Sequence, residues 1–343
     1  MMKTNTILLF VAVCFMLIFA LWLSAALGSA NVSLDTVFQV LGLRRFGIES
    51  ETLERAAVFI VWDLRLPRGI LAIAVGGGLA IAGVAMQSVT QNVMADPYIL
   101  GVSSGALAFV SVGYFIGGVF LQNPAIIPAM AFSGAVFSML LVYAIGGFGK
   151  SGGNVRLILS GMAVSITLNA IAQFFIVSAP DDVRIRGILS WMMGTLASAR
   201  WGNIALPLTA SILACGFFFY NARSFDLMAL GDETAIGLGT NVKKVKRNAI
   251  IAVSFVTAIA VSSAGLIGMV GFVIPHIVRF LIGTEHRKLF PLAFIVGGVF
   301  LLLMDIMARV VLAPREVPIG VFTALCGGPF FVWLIKRKLK NSA

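Results

Sequence analysis

Apolar stretches about as long as a bilayer is thick recur along almost the whole chain, and this spacing constrains the fold more than any other feature. A helix needs roughly 20 apolar residues to cross the hydrocarbon core. Inside lipid the backbone must satisfy its own hydrogen bonds, so such runs are expected as α-helices. The runs are 7–28, 66–91, 98–121, 126–148, 157–179 and 204–220, then a long one over 249–283, then 289–312 and 319–335. The stretch 249–283 is too long for one span and is broken by Gly265, Gly268, Gly271 and Pro275. We read a turn there between two helices, one of them short, because helix breakers at membrane depth are tolerated only where protein covers the backbone. The expected fold is all-α: a single polytopic membrane domain over residues 1–343 with ten transmembrane helices. A further helix over 187–199 is too short to cross.

Composition supports this and excludes a soluble globule. Hydrophobic residues make up 59% of the chain and charged residues 11%, whereas an ordinary soluble domain is about 25% charged. The first run follows a positive start and could be a secretory signal, but it is longer than the usual apolar core of one, so a retained span is preferred. The net charge of +11 is explained by topology, without nucleic acid. With the amino terminus in the cytoplasm, fifteen of the 25 Lys and Arg lie inside, including every lysine, and the outer cations are all arginine. The basic tail 336–340 then also falls inside, as the positive-inside rule requires. Both termini are expected in the cytoplasm. Cys14, Cys215 and Cys326 sit in apolar runs without metal or redox spacing and are expected as buried small hydrophobes. Gly101/Gly105 and Gly113/Gly117 are small-xxx-small pairs that let helix backbones approach closely.

No segment carries chemistry by itself. Gly149-Lys150-Ser151 resembles the end of a phosphate loop, but Ala144 stands where its first glycine belongs and a transmembrane helix precedes it in place of a strand. Neither His276 nor His286 has partners at metal-ligand or acid–base spacing, and His286 reads as a solvated loop residue. Asp305 and Arg309, four apart on one helix face, are expected to pair near its outer end. Few other ionisable residues lie within the spans, which argues against ion coupling. No catalytic residue, metal site or cofactor is expected.

Two segments point to partners. The hydrophilic loop 221–247, between the sixth and seventh spans on the cytoplasmic side, carries good helix formers between glycine stops and reads as two short helices. It either docks on a soluble protein or lies on lipid headgroups. On the outer side, Trp62-Asp-Leu-Arg-Leu-Pro-Arg68 opens the second span with proline in the first turn. Its arginines, with Arg309, either snorkel to lipid phosphate or present guanidinium forks to carboxylates of an external protein.

Eight blocks in order resemble the FecCD family, the permease subunits of type II ABC importers for ferric siderophores, haem and vitamin B12. They are Leu64-Arg-Leu-Pro-Arg68, Gly83-Val-Ala-Met-Gln87, Gln91 to Ala106, Trp191-Met-Met-Gly194, Gly231 to Gly239, Gly271-Phe-Val-Ile-Pro-His-Ile-Val-Arg279, Asp305-Ile-Met-Ala-Arg309 and Glu316-Val-Pro-Ile-Gly320. Val93 departs from the family's usual proline after Asn92, which bears on the local loop geometry. The resemblance implies a type II importer permease fold, with two ATPase subunits, a second permease that is an identical copy or a paralogue, and an external substrate-binding protein. It also implies site residues. Gly231, Asp232, Glu233, Ala235, Leu238 and Gly239 match the coupling helices that seat in the ATPase. Arg65, Arg68 and Arg309 match positions that receive glutamates of the binding protein. Asn92 and Met94, with Asn154 and Val155, fall where the family places its cytoplasmic gate. The implied function is import of an iron complex across the bacterial cytoplasmic membrane, a ferric siderophore first and haem or a corrinoid as the alternative. An ion-coupled carrier and a non-transporting membrane scaffold are the rivals from other classes.

Overall fold

The computed structural model describes residues 2–30, 32–45, 55–147 and 153–342. In chain order the helices are α1 (Met2–Ala26), α2 (Leu34–Arg45), α3 (Arg55–Val58), α4 (Leu66–Thr90), α5 (Val102–Ile116), α6 (Ile126–Gly146), α7 (Gly153–Val177), α8 (Asp182–Met192), α9 (Ala205–Tyr220), α10 (Ala222–Met228), α11 (Asp232–Gly237), α12 (Val242–Ala264), α13 (Val270–Ile282), α14 (His286–Val310) and α15 (Ile319–Ser342). A π-helical stretch, Phe59–Arg65, joins α3 to α4 without a break.

Each expected apolar run carries a helix, but fewer than ten of these helices are long enough to cross by themselves. Six helices are long and apolar enough to cross by themselves, and α9 with α10 forms a seventh segment bent by 58°. The third, eighth and tenth expected spans are the shorter apolar helices Val102–Ile116, Val270–Ile282 and Ile319–Leu334. The third span begins later than its hydropathy suggests, because Gly101 adopts φ +74° and separates a 3-10 turn, Pro97–Leu100, from α5. The short extra helix is α8, five residues earlier than the expected 187–199. The Asp181 side chain accepts the Arg184 N–H and starts it there, which satisfies one of the free donors of a first turn.

Helix α4 is the axis of the bundle. It is buried along nearly its whole length and packs against α1, α9, α12, α13 and α14, while α5, α6 and α7 form a second group reached through α12. Its glycines permit this. A Cβ at Gly83 would overlap the carbonyl oxygen of Gly271 on α13, and one at Gly76 would overlap that of Gly297 on α14. Backbones meet at these points because lipid offers no hydrophobic drive and close packing must hold helices together. By contrast, α1, α6 and α7 bury fewer than a third of their span residues and turn Phe15, Ile18, Leu140, Ile166 and Phe174 outward, as lipid-facing surfaces do. The cysteines differ from expectation: Cys14 and Cys215 are half-buried and Cys326 is exposed.

The break between α12 and α13 brings distant motifs together. The N–H of Thr195 donates to the Ala264 carbonyl at 2.8 Å, those of Ile319 and Gly320 donate to Gly194 and Met193 at 3.2 and 3.0 Å, and the Tyr98 hydroxyl donates to Ile267 at 3.0 Å. Four loops thus supply each other's missing backbone partners, the condition under which irregular backbone is tolerated at this depth.

Candidate functional site: an arginine cluster and a loop face at opposite ends of the axial helix

At one end of the bundle Arg65, Arg68 and Arg309 come together, with Arg65 and Arg309 turned inward. Arg65, 5% exposed, donates through Nη1 to the carbonyls of Ala25 and Ala26 at 3.0 and 2.7 Å, and through Nη2 to that of Ala30. Arg309, 3% exposed, donates through Nη1 to Ser24 and Leu27 carbonyls at 3.1 and 2.8 Å and through Nη2 to Ser24 Oγ at 2.8 Å. The two guanidinium groups therefore cap the carboxyl end of α1, where the last carbonyls lack helical partners and the helix dipole favours a cation. Outward presentation of all three forks is corrected by this geometry. Arg68 alone reaches the rim: its Nε donates to Asp305 Oδ1 at 2.8 Å and its Nη1 lies 3.0 and 2.9 Å from the two carboxylate oxygens of Glu316.

Asp305 is fully buried between the cations. Its Oδ2 lies 3.0 Å from Arg309 Nε, the expected i,i+4 pair, but off the N–H axis, so that N–H goes to the Asp305 carbonyl at 3.4 Å. Charge, more than hydrogen bonding, holds this pair. The Arg68 link to Asp305 and Glu316 is one that helix periodicity could not reveal, since the partners are more than 230 residues apart.

At the other end of α4 the loop 221–247 forms two short helices, α10 and α11, as expected, before α12 begins at Val242. Gly231 takes φ +108° and Gly239 φ +86°, the glycine stops on either side of α11. Of the expected coupling residues, Glu233 and Leu238 are exposed, whereas Ala235 is 0% exposed and packs into this chain's own core. Asp232 is half-buried and faces its own protein, paired with Lys246 Nζ and accepting from Gln91 Nε2 at 3.1 Å. Leu230 and Ile236, not singled out by the sequence, are exposed beside Leu238.

The expected gate residues Asn92 and Met94 sit on an exposed loop directly after α4. Asn154 and Val155 lie in the first turn of α7, and their side chains fall outside the described residues, as does the phosphate-loop lookalike at 149–151. His286 is not a solvated loop residue. It is 4% exposed, opens α14 and stacks on Phe225 with ring centres 5.6 Å apart. Its Nδ1 lies 2.7 Å from Asp226 Oδ1 and its Nε2 lies 2.7 Å from Ser88 Oγ, so it ties α10 to α4. Sequence spacing missed it because its partners are 60 and 198 residues away.

Comparison with known proteins agrees with this arrangement. Residues 16–337 match the FecCD transport family. The chain is 35% identical over 324 residues to the hemin transport system permease protein HmuU of Yersinia pestis, covering 91% of this chain and 92% of that protein. It is 34% identical over 342 residues to the iron(3+)-hydroxamate import system permease protein FhuG of Bacillus subtilis, covering 98% of both. A solved inward-facing ABC transporter of the metal-chelate type superposes with a TM-score of 0.82 at 25% identity, over 95% of this chain and 98% of that one. With a family match across almost the whole chain and the family's blocks meeting at two faces of one helical bundle, this protein belongs to the FecCD transport family, the membrane permeases of ABC importers.

Proposed function

We propose that the chain works with two cytoplasmic ATPase subunits, a second permease that is an identical copy or a paralogue, and an external binding protein, and that it passes an iron complex to the cytoplasm. The observation that carries this reading is the α10–α11 face. Exposed Leu230, Ile236 and Leu238 stand beside Glu233, next to the lysines of the first turns of α12. Three apolar side chains flanked by charge suit a groove on a soluble protein better than a surface left in water. On this reading loop 221–247, the gate loop and both termini lie on the cytoplasmic side.

ATP binding in the partner would favour one permease state over another through differential contact with this face, with no chemistry in this chain. On the opposite side, the binding protein would dock over the rim where Arg68 and Glu316 approach the surface. Arg65 and Arg309 hold that rim in shape by fixing the end of α1. A ferric siderophore is the favoured cargo. The haem and hydroxamate relatives match this chain almost equally well, which keeps haem, and a corrinoid with it, as the alternative reading.

Proteoliposomes containing the co-purified assembly test the proposal. ATP-dependent accumulation of a radiolabelled ferric hydroxamate, competed by neither haem nor cobalamin, is the expected result. Uptake that persists without an ATPase subunit, or failure of any ATPase to co-purify, would refute it.

A further inference from the structure

The end of α4 is held by three polar side chains that together reach four other helices. Gln87 Oε1 accepts from Arg279 Nη1 on α13. Ser88 Oγ meets His286 Nε2 at the start of α14, and His286 in turn meets Asp226 on α10. Gln91 Nε2 donates to the Met228 carbonyl at the end of α10, at 3.2 Å, and to Asp232 on α11 at 3.1 Å.

The backbone at this point is also unusual. Gln91 takes φ +52° and ψ +31°, a left-handed conformation normally left to glycine. The Asn92 N–H returns to the Gln87 carbonyl at 3.1 Å and that of Gln91 to Ser88 at 3.4 Å, the pairing of a Schellman cap. A glutamine keeps a glycine's place here because its side chain is anchored in α10 and α11. Asn92, the next residue, begins the exposed loop that carries Met94.

The Ser88–His286–Asp226 chain is closely determined. Asp226 Oδ1 accepts both the His286 ring Nδ1 and the His286 backbone N–H, the latter at 2.9 Å, and so places a carboxylate at the amino end of α14. A carboxylate at Nδ1 fixes a proton there, and the single Ser88 hydroxyl proton is shared between the Val84 carbonyl at 2.9 Å and His286 Nε2 at 2.7 Å. Phe225 stacks on the imidazole and Phe290 lies tilted against it, with centroids 5.6 Å away in each case and 5.3 Å from each other.

We propose that Ser88, His286 and Asp226, with Gln91 beside them, are positioning residues that carry a displacement of the α10–α11 face to the end of α4 and hence to the loop of Asn92 and Met94. The physical basis is geometric. The α10–α11 loop touches the axial helix through directional hydrogen bonds, partly buried at His286 and Met228, at the residues just before that loop, so a shift of one pulls on the other. This rests on the importer reading, in which a partner pushes on α10–α11.

The test uses the full assembly with its ATPase in nanodiscs, in a background where Cys14, Cys215 and Cys326 are serine and Met94→Cys carries a nitroxide. In the parent, ATP changes the mobility of the label. Ser88→Ala should abolish that change and lower substrate moved per ATP by about fivefold or more, while hydrolysis and ATPase attachment persist. Ser88→Thr, which restores the hydroxyl, should restore the response, and His286→Phe, which keeps the aromatic stack, should behave like Ser88→Ala. A normal ATP response in Ser88→Ala overturns the relay and leaves the importer reading intact. Joint loss of ATPase attachment and label response in Ser88→Ala also overturns it, since the cluster would then serve folding alone. Absence of any ATPase in the parent assembly defeats the importer reading and the relay together.

Discussion

Replacing Asp305 with asparagine tests whether the outer arginines are part of the architecture. Asp305 is fully buried, 2.8 Å from Arg68 Nε and 3.0 Å from Arg309 Nε. Removing one partner of a buried pair costs about 3–5 kcal/mol, because a charge is left without compensation. Arg68 keeps Glu316 at 2.9 Å, which places the expected cost toward the lower end, about 3 kcal/mol. An unfolding entropy of about 2.1 cal/mol/K per residue over this chain length converts that to a drop of about 4 °C in Tm. The assay is thermal unfolding of the purified protein in detergent, followed by circular dichroism at 222 nm, with exposed Arg315→Gln as the neutral comparison. Arg309→Met should also destabilise, since the Ser24 and Leu27 carbonyls lose their donor. The double variant should cost less than the sum of the two by at least about 1 kcal/mol, because these groups touch. A shift below about 1 °C for Asp305→Asn, or strict additivity, would refute the reasoning.

Gly83→Val should prevent a stable fold, because any Cβ there overlaps the Gly271 carbonyl and neither backbone can move without opening α4 from α13; monodisperse elution in detergent at wild-type yield would contradict this. Ile236→Glu with Leu238→Glu should release the ATPase in co-purification while Tm stays within about 1 °C, since both side chains are exposed. Retained ATPase would count against the assigned face. Burial pushes the Asp96 carboxyl up from 3.8 to about 6. Between those values the folded protein holds a proton the unfolded chain has lost, so stability falls as pH rises through that window. Asp96→Asn keeps an acceptor for the Tyr98 N–H, now at 2.9 Å, and should gain Tm relative to wild type between pH 4 and 7; a constant offset would remove Asp96 as the cause.

Local order was legible wherever it depends on neighbours in the chain. The long apolar runs become α1, α4, α6, α7, α12 and α14, the break at 265–269 lies between α12 and the 13-residue α13, and the glycine stops frame α11. Asp305 and Arg309 pair as their spacing implies. Misreadings arose where a distant contact decides a side chain's fate. Arg65 had the form of a recognition arginine until the end of α1 arrived to take its donors. His286, between Glu285 and Arg287, had the surroundings of a surface loop until Phe225, Asp226 and Ser88 enclosed it. Ala235 shares its short helix with exposed neighbours, and only the packing of that helix shows which side is inside.

Hydropathy summed over about 20 residues and turn chemistry confined to a few are enough to establish a helical membrane protein, the positions of its long apolar helices and the blocks that mark its family. Packing between distant elements settles which arginines cap a helix and which reaches the rim, which loop residues face outward, and that α4 ends in a clamp shared by α10, α11, α13 and α14. Such assignments depend on which polar groups meet across 60 to 285 residues of chain. In a low-dielectric interior each polar group takes whatever partner the packing delivers, and one-dimensional spacing holds no record of that delivery.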